Sequence, residues 1–236
     1  GLVEATVIGD PAEIEKVCRA ENIDSGRFTV IPESVDTKCV EIAVRMVSEG
    51  KGDVLMKGLV TSDKYMRGIL NKEYGLVPPK GVLSHITVLK LPSYHKLVVA
   101  SDVAIIPNPD FAQKSAIIKY LVSTSKSLGV ERPKVACIAP SEQLLPAVES
   151  STDAAILAKM GDRGQFGNAT IDGPLSLDLA LVPEIAKIKK IKGSEVAGDA
   201  DCLMFPNLDA AKVFLKMATQ FAGAQRACLG SGTKSP

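Results

Sequence analysis

What most limits the folds open to this chain is a repeated alternation of short apolar runs with longer amphipathic stretches. Residues 5–9 (ATVIG) read as a buried strand, and residues 11–22 as a helix opened by proline, a residue suited to the first helical turn. Residues 27–31 (RFTVI) read as a second strand. Val40, Ala43, Val44 and Val47 then fall at helical spacing, and Gly50 and Gly52 close that helix. Residues 53–56 (DVLM) are expected to form the next strand and residues 61–71 the next helix, with Thr61, Ser62 and Asp63 as cap candidates. This rhythm, with β-branched strands and turn-rich connections, predicts an α/β protein with a mainly parallel sheet.

The middle of the chain breaks the rhythm. Residues 84–91 (SHITVLKL) and 95–102 (HKLVVASD) are two strand-like runs in quick succession. The connection around Pro92 and Tyr94 is too short for a helical crossover, so the two are expected to be antiparallel. Alternation resumes with a long helix over 111–128, a strand at 134–140, a helix over 150–160, a strand at 169–175, a strand at 202–205 and a helix over 208–221. The closing GSGTKSP reads as loop. A domain division is expected near the two central strands, giving a first α/β domain over 1–94 and a second over 95–236.

Charge and composition remove several function classes. Lys and Arg number 28 against 27 Asp and Glu, so there is no basic surplus of the kind nucleic-acid binders carry. The densest basic run, Lys187, Lys189, Lys190 and Lys192, reads as a solvated helix end complementing the helix dipole. With no Trp, there is little for single strands to stack on. No apolar run approaches the ~20 residues a membrane helix needs. The five cysteines are widely spaced and lie mostly among apolar residues; with no export signal, they point to reduced thiols in the cytoplasm.

Five segments could carry chemistry. Met56-Lys57-Gly58 before a helix opened by Thr61-Ser62-Asp63 would make an anion site from free N–H groups, the helix dipole and one ammonium; a surface lysine before a capped helix is the plainer alternative. Ser84-His85 starts the first central strand, and His85 could act as acid, base or donor, or sit as a hydrogen-bonded strand-edge residue. His95 falls in the expected turn and takes no role. Asp102, at a strand end before Asn108 and Asp110, could face a ligand or simply cap its turn. Asp172-Gly173-Pro174, followed by Ser176 or Asp178 opening a helix, and the small-residue loop over 192–201 could admit a ligand close to the backbone or be turn chemistry alone.

Taken together, MKGLVTSD, LSH, SDVAIIPNPD, IDGPLSLDLAL and KGSEVAGDADCLMFPNLDA stand in an order and at a spacing that resemble the phosphate acetyl/butyryltransferase family over nearly the whole chain. The pattern looks closer to the phosphate butyryltransferase branch, or to the related module sometimes fused to a hydratase. The resemblance implies two α/β domains of the isocitrate/isopropylmalate-dehydrogenase-like fold with an interdomain cleft, in a homodimer. The implied reaction is acyl-CoA plus phosphate giving acyl phosphate plus CoA, with coenzyme A as substrate, no cofactor, no metal, and neither nucleic acid nor membrane as partner. By the same resemblance, His85, Ser84 and Asp172 would be catalytic. Lys57, Gly58, Thr61, Ser62, Asp102, Asn108, Gly173 and Pro174 would bind substrate, and Lys57, Ser84, His85 and Asp172 would converge on the interdomain cleft.

Two departures accompany it. Ala211-Lys212 stands where the family usually reads Gly-Asn. The family also continues beyond the GTKSP turn into a strand and a Ser-Arg motif with a nearby Asp, and it begins one strand–helix unit earlier. Residues 1–236 are therefore expected to be the interior of a longer protein and to show little acyl transfer alone. Two other readings stay open on sequence: a non-catalytic relative that binds CoA or acyl phosphate, and a metal-dependent dehydrogenase of the same fold type.

Overall fold

Two kinds of strand are distinguishable by which faces they bury. In the computed structural model, which describes residues 3–234, they belong to different units, one running to Gly81 and taking back the stretch from Thr233, the other spanning Val82–Gly232. In the first unit, Thr6–Gly9 (β1) pairs in parallel with Thr29–Pro32 (β2), from Thr6 opposite Thr29 to Gly9 opposite Pro32. Both strands are half-buried at most, so the expectation of a buried first strand is corrected. Pro11–Ala20 (α1) lies between them, its first turn capped by the Asp10 carboxylate accepting from Ala12 N at 2.8 Å. Asp36–Ser48 (α2) and Ser62–Ile69 (α3) pack closely: a Cβ on Gly68 would lie 2.3 Å from Val40 Cγ1.

Residues 53–56 are not a strand. Val54 and Met56 are 60% and 86% exposed, and a strand is a ladder that needs a partner, which β1 and β2 do not offer here. The apolar run gave the right composition without the pairing.

The second unit is a six-stranded sheet of order β6-β5-β7-β4-β3-β8. Its elements are Ser84–Lys90 (β3), Leu97–Ser101 (β4), Phe111–Ser127 (α4), Lys134–Ile138 (β5), Glu149–Asp162 (α5), Thr170–Leu175 (β6), Leu177–Leu181 (α6), Pro183–Lys189 (α7), Cys202–Met204 (β7), Leu208–Gln220 (α8) and Gln225–Ser231 (β8). Five strands run one way and β3 runs the other, antiparallel to both β4 and β8. The central hairpin is therefore as expected. The division between units is not: it falls at 81/82 instead of 94/95, because β3 and β4 pair with each other and, through β7, with the rest of one sheet. Gly230 and Ser231, read as loop, close β8.

Helices cover both faces, as a mostly parallel sheet demands. Val135 and Cys137 of β5 face α4 and α5, where Ile117, Ile118, Leu121 and Leu157 are fully buried; Ala136 and Ile138 face α6 and α8 through Leu179 and Leu215. Lys114 on α4 is almost fully buried and donates to Asp153 at 2.6 Å and Glu149 at 3.1 Å, tying α4 to α5. Burial alone would lower its pKa, but these two hydrogen bonds outweigh it and hold the ammonium charged. Among the described residues no helix is long and apolar enough to cross a membrane.

At the N-terminal edge of the parallel strands, charges replace apolar packing. Lys134 Nζ donates to Asp199 Oδ2 at 2.6 Å, Lys96 pairs with Asp199 and Asp201 at 3.0 and 2.8 Å, and the buried Asp201 accepts from Lys134 N at 2.8 Å. Three strand beginnings are thus pinned by one network. Burial pushes the Asp199 pKa up, but the hydrogen bonds from Lys134 and Lys96 and their charges together bring it down to about 2, from an ordinary 3.8. A depressed carboxyl contributes stability that is complete above its unfolded pKa and is lost as pH falls through the folded value. Asp199→Asn is expected to cost on the order of 1–2 kcal/mol near neutral pH, reduced from the buried-pair figure because the side chain is 39% exposed. In urea melts, the gap between wild type and variant should shrink as pH drops from about 4 towards 2.

Candidate active site

In open α/β sheets, ligands are met beyond the C-terminal ends of the strands. β4 ends there at Ser101, and the reversed strand β3 begins there at Ser84. The next residue, Asp102, is 3% exposed, and its carboxylate is filled by four donors. Oδ2 accepts from Ser84 Oγ at 2.9 Å and His85 N at 3.1 Å; Oδ1 accepts from Ala104 N at 2.7 Å and Ile105 N at 2.8 Å. Ser101 Oγ lies 2.9 Å from Ser84 Oγ and donates to His85 O at 3.2 Å. Of the two sequence readings of Asp102, the turn cap is the one realised. With four acceptor positions occupied, its oxygens shape the wall and leave no lone pair for a ligand. The Ser101–Asp102 peptide bond is cis.

Ser84 and His85 follow one another on a strand, so their side chains leave opposite faces of the sheet. Ser84 points with Ile86 towards α4 and is fully buried. His85 points with Leu89 towards α8. Its imidazole is half-buried, and Nδ1, shielded from solvent, has no hydrogen-bond partner among the described residues. Burial lowers the His85 pKa; Lys212 and Arg226 lower it further, and Asp102 pulls the other way without prevailing. The ring is therefore neutral at pH 7. Lys212, the departure from the family pattern, is one of the two cations responsible.

Asp172 is not part of this cluster. It lies on β6, four strand positions from β3, which at the usual strand spacing is ~19 Å away. Its Oδ1 accepts from Gly173 N at 2.8 Å, and Oδ2 accepts from Ser194 Oγ. Ser194 Oγ in turn accepts from Val196 N at 3.2 Å and Ala197 N at 2.9 Å, so one carboxylate orders the loop after α7. Gly173 is required by space: a Cβ there would lie 2.7 Å from Cys137 Cβ and 2.9 Å from Cys137 O. Pro174 is buried after a cis bond. Asn108 is exposed in the loop before α4, which Asp110 and Gln113 cap reciprocally at 2.8 Å each.

In the first unit, Lys57, Gly58, Thr61 and Ser62 are all exposed. Thr61 is the N-cap of α3 but its hydroxyl makes no cap hydrogen bond, so the first-turn N–H groups face solvent. Lys57 Nζ donates to Gly58 O at 3.1 Å. Sequence reasoning passed over Ser101 and Ser194. Ser101 is visible as a polar residue in the alternation of a buried strand; Ser194 carries no local signal, because its partner is 22 residues away.

A family model described as phosphate acetyl/butaryl transferase matches residues 24–230. The chain belongs to this family. Among its phosphate acetyl/butyryl transferase relatives, a phosphate butyryltransferase of Clostridium beijerinckii is 37% identical over the whole chain and 77% of its own length. A phosphate acetyltransferase of Thermotoga maritima is 32% identical over the whole chain and 79% of its own length. A branched-chain phosphotransacylase of Enterococcus faecalis superposes with a TM-score of 0.85 at 26% identity, over 99% of this chain and 90% of that one.

Asp102→Asn should place an amide N–H against donors that need an acceptor, costing about 1–3 kcal/mol in chemical denaturation, more than Ser84→Ala, which removes only one of the four donors. Gly173→Ala should cost a similar ~1–3 kcal/mol by overpacking against Cys137.

Proposed function

We propose that this family member transfers a short acyl group between CoA and inorganic phosphate. The family match over 24–230 carries the reading. A phosphate oxygen attacks the thioester carbonyl carbon, an oxyanion forms, the C–S bond breaks, and CoA leaves as thiolate to collect a proton. In reverse, the CoA thiol must lose its proton before it attacks the acyl phosphate. His85 suits that exchange because its half-buried ring is neutral near pH 7 and can take a proton. Ser84 and Asp102 act as positioning residues that hold the His85 backbone. Asp172, Gly173 and Pro174 fix the β6 turn, and Asn108 faces solvent where a substrate can reach it. Lys57, Gly58, Thr61 and Ser62 supply charge and N–H donors for phosphate.

The butyryl branch is favoured by two clostridial butyryltransferases at 37% identity, against 32% for an acetyltransferase and for a further probable butyryltransferase. Membership also supports the isocitrate/isopropylmalate-dehydrogenase-like fold, a homodimer and a cytoplasmic setting as parts of the same reading.

The direct test is acyl-phosphate-dependent acylation of CoA by the full-length protein, with butyryl and acetyl phosphate compared. CoA binding without turnover would identify a non-catalytic relative and defeat the proposal. Lys57→Ala should raise the KM for phosphate roughly tenfold or more and leave that for CoA nearly unchanged. His85→Gln should lower kcat by roughly 100-fold or more. The acid limb of the pH–rate profile should lie below the ordinary histidine value of 6.5, and Lys212→Gln, which removes a nearby cation, should move it upward.

A further inference from the structure

Away from His85 and Asp102, at the N-terminal edge of the parallel strands, α7 and the loop that follows it line a wide-mouthed surface groove of about 660 Å³ beside His95 and Asp199. Its floor is apolar: Pro183, Ala186 and Ile191. Gly198 (φ +79°) brings the loop so close to α7 that a Cβ would lie 2.7 Å from Pro183 Cα. Its rim is cationic. Lys187, Lys190 and Lys192 line it, and none makes an ion pair among the described residues, whereas Lys189, from the same basic run, turns away to Glu142 at 2.8 Å. The structure thus sorts four neighbouring lysines into one that is neutralised and three that share a groove.

The helix dipole does not account for the three. A helix C-terminus carries about half a negative charge, which cannot balance Lys187 and Lys189 in the last turn together with Lys190 and Lys192 beyond it. Asp199, the acidic lining residue, is committed to Lys96 and Lys134, and its outer oxygen meets His95 Nε2 at 3.0 Å. What remains is a surplus of positive charge over an apolar floor. The groove is open to solvent, and its floor is long enough for more than a lone phosphate.

We propose that this groove binds a phosphorylated anion of mononucleotide size, its phosphates held by Lys187, Lys190 and Lys192 and its planar body resting on Pro183, Ala186 and Ile191. The site is separate from His85 and independent of the acyl-transfer reading, so the test uses no turnover. ADP and inorganic pyrophosphate are titrated calorimetrically into the full-length wild type, into Lys187→Gln/Lys192→Gln, into Lys187→Arg/Lys192→Arg and into His85→Gln. Both replaced lysines are exposed, and thermal melts confirm that the variants are folded. The expected result is saturable binding of ADP, stronger than that of pyrophosphate. The glutamine pair should weaken it roughly tenfold or more, and the arginine pair and His85→Gln should retain it. Raising salt from about 50 to 300 mM should weaken it as well. Absence of saturable binding to wild type, equal binding to the glutamine pair, or loss of binding in His85→Gln would each overturn the proposal.

Discussion

A buried carboxylate must have its charge answered, and the way Asp102 is answered organises the C-terminal edge of the sheet. Among the described residues no lysine or arginine pairs with it. Four donors meet it instead: a hydroxyl and an N–H from the start of β3, and two N–H groups from the turn after β4. Hydrogen bonds to an ionised acceptor are the strong ones, and here they connect two antiparallel strands at the point where both turn to loop. The position of His85 follows, since its backbone N–H is one of the four and its carbonyl accepts from Ser101. The site histidine is therefore held by its main chain, and its buried Nδ1 has no hydrogen-bond partner among the described residues.

Much of the second unit was legible in the sequence because β4, β5 and β7 are buried on both faces and so announce themselves as apolar runs, whereas the exposed strand β8 gave no such run and was not foreseen. Residues 134–140 and 202–205 contain β5 and β7, and the short turn at Pro92 correctly implied an antiparallel pair. The first unit was less legible. Residues 53–56 have strand composition but no neighbour to pair with, and pairing is non-local information. The same limit separates the site residues. Ser84, His85 and Asp102 lie on paired strands, and their meeting could be inferred from the hairpin. That Asp172 pairs with Ser194, several strands away from β3, depends on a strand order that local periodicity does not contain.

Charge is handled differently at the two edges of this sheet. At the C-terminal edge one anion is satisfied by neutral donors. At the N-terminal edge Asp199 and Asp201 meet Lys96 and Lys134 as full ion pairs, and the surrounding lysines of α7 and its loop stay in excess. A near-neutral total of 28 basic and 27 acidic side chains thus conceals a local surplus, which only the pairing reveals.

The partnership of β3 with β8 has a consequence for how the molecule comes into being. Thr87 lies against Cys228, 141 residues later in the chain. A ribosome adding ~5–20 residues per second needs roughly 7–30 s to deliver that partner. Through that interval β4 can cover one side of β3 while the other side presents unpaired N–H and C=O groups, the kind of exposed edge on which nascent chains associate wrongly. Contacts of such long sequence separation also form late and slowly once the chain is free. Pairing with β8 therefore sets when β3 gains its second neighbour, and chaperone occupancy on nascent chains should persist until residues 225–231 have left the exit tunnel.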